Sequence, residues 1–211
     1  MAGHIAESYE DVHRLLTDTQ TYTAPAAGHG SASTGTDDLF PSTVLARLEP
    51  EVRKIVSAAL EEDPAGYAKL IPQRVTDLIV RWGLPIPEVV LRSGIEPTAA
   101  AITDAVALLE RHAVGEDVLA AAIDEVLRWS PPVPRVWRLE ASGDAVGDEV
   151  AGDIAAANRD PARFPDPDRF DPGRLPNPHL SFGRGRHYCP GAALARLQIA
   201  ITVRAVLGDR G

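Results

Sequence analysis

The chain has 211 residues, of which 45% are hydrophobic and only 5% aromatic, and its net charge is −9. This length suits one sizeable domain or two very small ones, and the composition allows a core of Ala, Val, Leu and Ile. The acidic balance disfavours nucleic acids and anionic lipid surfaces as partners, because both are negatively charged and bind clustered Lys and Arg.

A single cysteine, Cys189, excludes an intramolecular disulfide framework and suits a reducing compartment. No apolar run approaches the roughly 20 residues that a membrane-spanning helix needs. Residues 1–13 lack the basic start and the apolar stretch of a signal peptide. The sequence therefore predicts a soluble cytoplasmic protein without a membrane partner.

Helical periodicity dominates the first two thirds of the chain. Ser8 is placed to cap the first helix, with acidic residues following in its first turn. Residues 23–38 are rich in Gly, Ala, Ser and Thr and predict a flexible loop. Pro50 indicates a break in the second helix, and the prolines within residues 84–97 argue against one long helix there. Helices are predicted over 8–16, 42–62, 67–83, 98–113 and 116–129.

The pattern changes after the fifth predicted helix. Residues 135–153 contain short β-like pieces separated by glycine turns. Residues 156–188 carry many prolines and almost no apolar periodicity, and so long an irregular stretch inside a domain is usually functional. A final helix is predicted over 191–207. The predicted fold is therefore mainly α, with a few short strands.

Cys189 stands between a glycine-rich turn and the final predicted helix. A thiolate is favoured at a helix N-terminus, where backbone N–H groups and the helix dipole stabilise negative charge. Gly183, Gly185 and Gly191 would let a flat cofactor approach the backbone closely. Without a second cysteine, a four-cysteine zinc or iron–sulfur site is excluded, whereas haem iron accepts a single Cys ligand. The alternative is that Cys189 is a buried, inert small hydrophobic residue.

The haem-ligand loop of the cytochrome P450 family is similar, in every defined position, to Phe182-Gly183-x-Gly185-x-His187-x-Cys189-x-Gly191. The resemblance implies that Cys189 is the proximal thiolate ligand of haem b. It also implies that Phe182 packs on the thiolate side of the haem and that His187 hydrogen-bonds a propionate. The likeness is to soluble bacterial members of the family.

Two further segments resemble the same family. Glu125-x-x-Arg128 is similar to the family's paired Glu and Arg, and the i, i+3 spacing places both on one helix face. Residues 158–174 are similar to the family's meander. The resemblance implies that an arginine of the meander, Arg169 or Arg159, completes the pair and steadies the ligand loop.

Other site residues follow from the positions they share with the family. Arg138 lies where the family places a propionate-binding arginine, and Arg135 is a nearby alternative. Residues 93–102 resemble the family's oxygen-activating helix, with Glu96 at the acid position and Thr98 as the alcohol that would help to manage protons. Pro97 stands where the family has an alcohol. It either interrupts proton relay, because it has no hydroxyl, or serves simply to start the helix.

The chain also departs from the family pattern. It is about half the usual length, and the helix that normally gives a His and an Arg to the propionates has no counterpart except the loop at 23–38. The two lid helices are missing between Pro87 and Ser93, and the strands after the final helix are gone. We expect one reduced cytochrome P450-like domain over 1–211, with a long irregular meander and a haem-binding core at 125–207.

Three functions remain open, of which the third, a haem-containing sensor or carrier, is selected by no feature of the sequence. The first is a haem-thiolate oxidoreductase, monooxygenase-like or peroxygenase-like, that acts on a small natural-product intermediate. Its electrons would come from a ferredoxin or its oxidant would be peroxide, and non-oxidative haem chemistry is a variant. The second is an auxiliary protein without catalysis that activates a partner enzyme. Because lost helices would expose apolar surface, we expect a homodimer or a partner protein.

Overall fold

The computed structural model describes residues 4–23, 39–142 and 146–208. These residues form two compact units. The sheet unit consists of residues 4–23, 127–142, 146–170 and 176–189, and the helical unit consists of the remaining described residues. The boundary passes through one helix, between Val126 and Leu127. The prediction of a single domain stays a prediction.

The sheet unit is built on four short strands, namely β1 His4–Ala6, β2 Tyr22–Thr23, β3 Arg135–Glu140 and β4 Glu149–Asp153. They lie in the order β1-β4-β3-β2. The edge strand β1 pairs in parallel with β4, with Ile5 opposite Ala151, whereas β3 pairs antiparallel with both β4 and β2. The glycine turns in this region therefore separate real strands, as predicted.

Helix α1, Tyr9–Thr17, packs against this sheet. The predicted cap is confirmed, because the Ser8 hydroxyl accepts a hydrogen bond from the Asp11 N–H at 3.2 Å. One face of α1 carries the apolar residues, so the helix buries Val12 and Leu16 completely. They join a core with the short helix α7, Ile154–Ala157, and with Phe164 and Leu180.

The helical unit contains five whole α-helices and most of a sixth. The helices are α2 Ser42–Glu62, α3 Tyr67–Arg81, α4 Glu88–Ser93, α5 Ile95–His112, α6 Leu119–Trp129, which is shared with the sheet unit, and α8 Ala192–Leu207. The core of this unit is aliphatic: α5 packs against α3 and α8, and α2 packs against α3 and α8. Fully buried side chains such as Val52, Ile102, Leu109 and Ile199 fill these contacts.

The predicted helices are confirmed with differences in detail, such as the short 3-10 helix Glu116–Val118 at the start of the helix predicted over 116–129. The break expected at Pro50 is wrong, since α2 continues through it. Proline removes one backbone hydrogen bond there, but Leu48 and Val52 on either side are both fully buried and hold the helix in place. Helix α5 begins one turn earlier than expected, at Ile95, so Pro97 lies in its first turn. Proline fits there because first-turn N–H groups have no partner within the helix.

The loop expected at 23–38 lies outside the described residues except for Thr23, which belongs to β2. In the part of the chain that the structure describes, no helix is long and apolar enough to cross a bilayer.

Candidate functional site

The segment before Cys189 forms a tight loop, called here the ligand loop (residues 180–189). Gly183 and Gly185 have φ values of 72° and 62°, in the left-handed region that favours glycine. The Gly183 N–H donates to the Leu180 carbonyl at 2.8 Å, and the Cys189 N–H donates to the Phe182 carbonyl at 2.8 Å. The second bond closes the loop and fixes the backbone at Cys189.

Close approach is a second reason for glycine at position 183. A Cβ on Gly183 would lie 3.0 Å from the carbonyl oxygen of His187, which is tighter than ordinary contact. A Cβ on Gly185 would lie 3.4 Å from the Cα of Thr17 at the end of α1, which is ordinary contact. Gly185 is therefore explained by its left-handed backbone, and Gly183 by both its backbone and its close contact.

Cys189 itself is half-buried and forms no disulfide. It precedes α8 by three residues, with Gly191 at the N-cap of that helix. Within the described ranges, no cluster of three or more His, Cys, Asp or Glu residues is arranged to hold a metal ion. Any metal ligation by Cys189 would therefore be that of a single protein ligand, as haem iron accepts.

The aromatic residues of the ligand loop are partly accessible. Phe182 is half-buried and its ring lies 6.0 Å from that of His179 and 6.3 Å from that of Tyr188, between ring centroids. His187 ends the short 3-10 helix Gly185–His187 and is also half-buried. The expected contacts of Phe182 and His187 with haem stay predictions.

Arg138 and Arg135, the two candidates for a propionate partner, have different surroundings. Arg135 is exposed and pairs with Asp153 at 3.1 Å across the sheet. Arg138 is only 4% exposed. Its Nη1 donates to the Trp137 carbonyl at 2.8 Å, but its buried Nε has no hydrogen-bond partner among the described residues. Burial lowers the pKa of this guanidinium.

A buried, incompletely paired guanidinium is costly unless an anion completes its bonding. Arg138 therefore fits the role of binding a carboxylate such as a haem propionate better than Arg135 does. The residues of the sheet unit, namely Arg138 and the ligand loop with Cys189, match the chemical requirements of haem b.

Glu125 and Arg128 lie on α6, as predicted, and both are fully buried. The Glu125 carboxylate accepts from the Arg174 Nε at 3.1 Å and from the Asp171 N–H at 2.9 Å. Arg174 was not predicted as the basic partner. These three residues belong to the helical unit.

Arg128 serves the sheet unit instead. Its Nη1 donates to the carbonyls of Asn158 at 2.8 Å and Pro167 at 2.9 Å, and its Nη2 donates to the Arg169 carbonyl at 3.3 Å. Arg169 thus contributes its main-chain oxygen, while its side chain is exposed. Arg159, the other candidate, lies 3.5 Å from Asp168. The Arg128 guanidinium therefore holds the meander through the meander's main-chain carbonyls.

Arg174 and Asn158 are two buried polar residues of the meander that the sequence did not predict as site residues. Arg174 is 9% exposed and Asn158 is fully buried. Arg174 ends the motif Asp171-Pro-Gly-Arg, which lies at the end of the meander segment, but several arginines in this stretch are equivalent by composition. Only burial distinguishes them, and burial in an irregular segment has no periodic signature.

Glu96 and Thr98 lie in the first turn of α5 but differ in exposure. Glu96 is exposed, whereas Thr98 is 7% exposed and its N–H donates to the Gly94 carbonyl at 3.1 Å. Pro97 is explained by its place in the first helical turn. The roles of Glu96 and Thr98 in proton handling stay predictions.

Comparison with known proteins assigns the segment that contains this site to a family. The sequence model described as Cytochrome P450 matches residues 117–208, which include α6, the ligand loop and α8. Putative cytochrome P450 YjiB of Bacillus subtilis is 36% identical over 175 residues, covering 76% of this chain and 42% of the relative. The chain belongs to the cytochrome P450 family. Members of this family bind haem b, so the resemblance seen in the sequence is confirmed.

A second relative and a solved structure agree with this assignment. Mycinamicin IV hydroxylase/epoxidase of Micromonospora griseorubida is 36% identical over 133 residues, covering 56% of this chain and 34% of the relative. The structure of CYP109E1 from Bacillus megaterium in complex with testosterone has a TM-score of 0.80 at 19% identity, covering 96% of this chain and 84% of that chain. The predicted cytochrome P450-like fold is therefore confirmed. The chain spans less than half the length of either curated relative.

Proposed function

We propose that this cytochrome P450 family member is a haem-thiolate oxidoreductase with Cys189 as the iron ligand. The observation that carries the proposal is the buried Arg138 Nε without a partner, in the same unit as the ligand loop. An unpaired buried donor is rare in native proteins and indicates a group that is bound in the working protein. A haem propionate has the negative charge and the acceptor oxygens that would complete the hydrogen bonding of Arg138.

The ligand loop supplies the other contacts. Its two left-handed glycines shape the turn, and the bond from the Cys189 N–H to the Phe182 carbonyl fixes the backbone that carries the thiol. His187 would hydrogen-bond a haem propionate, and Phe182 would pack on the thiolate side of the haem. Bound haem would supply the iron centre at which an organic substrate is oxidised, and thiolate ligation favours that chemistry.

Proton handling is assigned to Thr98 and Glu96 on α5. Thr98 is buried, so its hydroxyl suits a proton-donating role away from bulk water. Glu96 is exposed, so it suits exchange of protons with solvent. Pro97, between them, has neither a hydroxyl nor an N–H and takes no part in relay.

The proposed substrate is a small organic molecule of natural-product type. The relative from Micromonospora griseorubida supports this class, because its name describes hydroxylation and epoxidation of mycinamicin IV. A ferredoxin-type electron donor is the proposed partner, and peroxide is the alternative oxidant. The proposed location is the cytoplasm.

Haem titration of the purified protein tests the proposal. The reduced protein with carbon monoxide should show the red-shifted Soret band of thiolate ligation, and Cys189→Ser should abolish that shift. If the purified protein stays colourless after haemin is added, the proposal fails and the auxiliary role becomes the better explanation.

A matched pair of arginine variants tests the assignment of Arg138. Arg138→Met should speed haem loss while leaving the haem-free protein as stable as wild type or more so, because an unpaired buried donor is removed. Arg135→Met, which breaks an exposed ion pair, should leave haem retention unchanged. Equal haem loss in the two variants would contradict the assignment.

A further inference from the structure

We infer that Asn158 is the positioning residue of the ligand loop, an inference that rests on the proposed haem-thiolate function. Asn158 is fully buried at the end of α7. Its Oδ1 accepts from the Leu180 N–H at 2.8 Å, and its Nδ2 donates to the Ser181 hydroxyl at 2.9 Å. One carboxamide thus forms hydrogen bonds with two consecutive residues where the ligand loop begins.

Ser181 connects this hydrogen-bonded pair of residues to α6. Its hydroxyl, which accepts from Asn158, donates to the Leu127 carbonyl at 2.7 Å. The Ser181 N–H is held separately by the His179 Nδ1 at 3.2 Å. The start of the loop is therefore bound through both its backbone and its one hydroxyl.

The main chain of Asn158 joins the same assembly. Its carbonyl accepts from the Arg128 Nη1 at 2.8 Å, so the buried arginine of α6 and the ligand loop meet at one residue. The carboxamide of Asn offers an acceptor and a donor on two separate atoms and carries no charge. Aspartate would lack the donor and would place a charge in a fully buried position.

The consequence for Cys189 follows from the bonds inside the loop. The Leu180 carbonyl accepts the Gly183 N–H at 2.8 Å, so the residue that Asn158 holds also starts the turn. Phe182, within that turn, supplies the carbonyl that receives the Cys189 N–H. Fixing Leu180 and Ser181 therefore sets the frame in which the sulfur is placed. Asn158 touches neither the cysteine nor any reacting atom, and it acts through the loop.

Amide hydrogen exchange in the haem-free protein is the first test, and it does not depend on cofactor binding. Asn158→Leu, which keeps the side-chain volume, should speed exchange at the Leu180 N–H on the order of tenfold or more beyond any change at the sheet residue Val150. Thr202→Val is the matched control, because it removes another fully buried side-chain hydrogen bond, to the Gln198 carbonyl in α8. It should leave the ratio of exchange at Leu180 to that at Val150 unchanged.

The haem-loaded protein gives the second test. Asn158→Leu should raise the share of reduced carbon monoxide complex that lacks the thiolate Soret shift, whereas Thr202→Val should not. Ser181→Ala, which keeps the Leu180 bond, should have a smaller effect. The double variant should fall short of the sum of the two single effects, because the residues share a bond.

The outcomes separate this inference from the proposed function. Unchanged exchange at Leu180 together with a full thiolate signature in Asn158→Leu would overturn the inference. If wild type binds no haem, the proposed function fails, while the exchange test still decides whether Asn158 holds the loop. If Asn158→Leu does not fold, Ser181→Ala takes its place, and its failure to change either the exchange rate of the N–H at position 181 or the thiolate share would overturn the inference.

Discussion

The sheet unit and the helical unit bury their chains by different means. In the helical unit, aliphatic side chains such as Val52, Ile102 and Leu109 are fully buried, and the backbone is satisfied inside each helix. In the sheet unit, the meander between α7 and the ligand loop has almost no regular structure. There, local turn bonds such as that from the Phe164 N–H to the Asp160 carbonyl are supplemented by buried polar side chains, among them Arg128 and Asn158.

The difference shows how an irregular segment can be as well defined as a helix. Every buried N–H and carbonyl needs a partner, and a meander has no ladder to provide one. Arg128 supplies donors to three carbonyls, and Asn158 supplies an acceptor to an N–H. The backbone position near Cys189 therefore depends on a few polar atoms. The aliphatic core of the helical unit should tolerate changes of side-chain shape better.

The largest expected effect is at Arg128. Replacement by Leu leaves the carbonyls of Asn158, Pro167 and Arg169 buried without a strong donor, and should lower the free energy of unfolding by about 3–5 kcal/mol. Arg14→Leu, at an exposed position on α1, should change it by less than about 0.5 kcal/mol. Urea unfolding midpoints measure both. A loss at Arg128 no larger than at Arg14 would remove the basis of the comparison.

Leu109 tests the other side of the comparison. Leu109→Ala should cost about 2–5 kcal/mol, because the residue is fully buried in α5 and its deletion leaves a cavity. Leu109→Met should cost less than about 1.5 kcal/mol, because an apolar core accepts a swap of similar volume. The same urea titrations apply. If the Met variant were as unstable as the Ala variant, the helical unit would not be the tolerant region described here.

Two glycines sharpen the description of the ligand loop. Gly83 and Gly183 both have positive φ, but a Cβ meets nothing within 4 Å at Gly83 and meets the His187 oxygen at 3.0 Å at Gly183. Gly83→Ala should cost about 1–2 kcal/mol from backbone strain alone. Gly183→Ala should cost more, and thermal unfolding of the two variants would show it. Equal losses would mean that the close contact relaxes freely.

The smallest expected effect is an exposed ion pair of the helical unit. The hydrogen bond from Arg204 lowers the pKa of Glu116 below its ordinary value of 4.5. A lowered carboxyl pKa stabilises the folded state above that ordinary value, and the contribution is lost as the pH falls through the folded pKa. The stability difference between wild type and Glu116→Gln should therefore be small at pH 7 and should shrink on acidification. A difference that grew on acidification would contradict the sign.

The sequence predicted the elements that have a period or a cap, and it missed those held by polar burial. Apolar spacing located α2, α3, α5 and α8, and Ser8 located the start of α1, because these signals are local. The break at Pro50 was wrong because packing on both sides outweighs one lost hydrogen bond. The choice among the meander arginines missed Arg174, since its partner Glu125 lies 49 positions away along the chain.

The residues of the candidate site also fall into those that the sequence predicted and those that it did not. The ligand-loop motif is long enough to identify the family, and the structure explains its glycines. The resemblance placed Arg138 first and Arg135 as the alternative, and the structure adds a physical reason for that order, because Arg138 is buried with an unpaired Nε whereas Arg135 is exposed and paired with Asp153. The role of Asn158 could not be predicted from the sequence, because the path of the meander decides that Leu180 and Ser181 are its hydrogen-bond partners.

The pairing of His4 with Val150 in the sheet implies an order of assembly. A ribosome releases the first strand long before its neighbour exists, and strand β1 must wait while the helices between them are made. The sheet unit also interleaves with the helical unit along the chain, so neither can be finished early. Cys189 is the last residue of the sheet unit to be synthesised, and slow, long-range closure of this kind leaves β1 exposed to non-native pairing until β4 has been made.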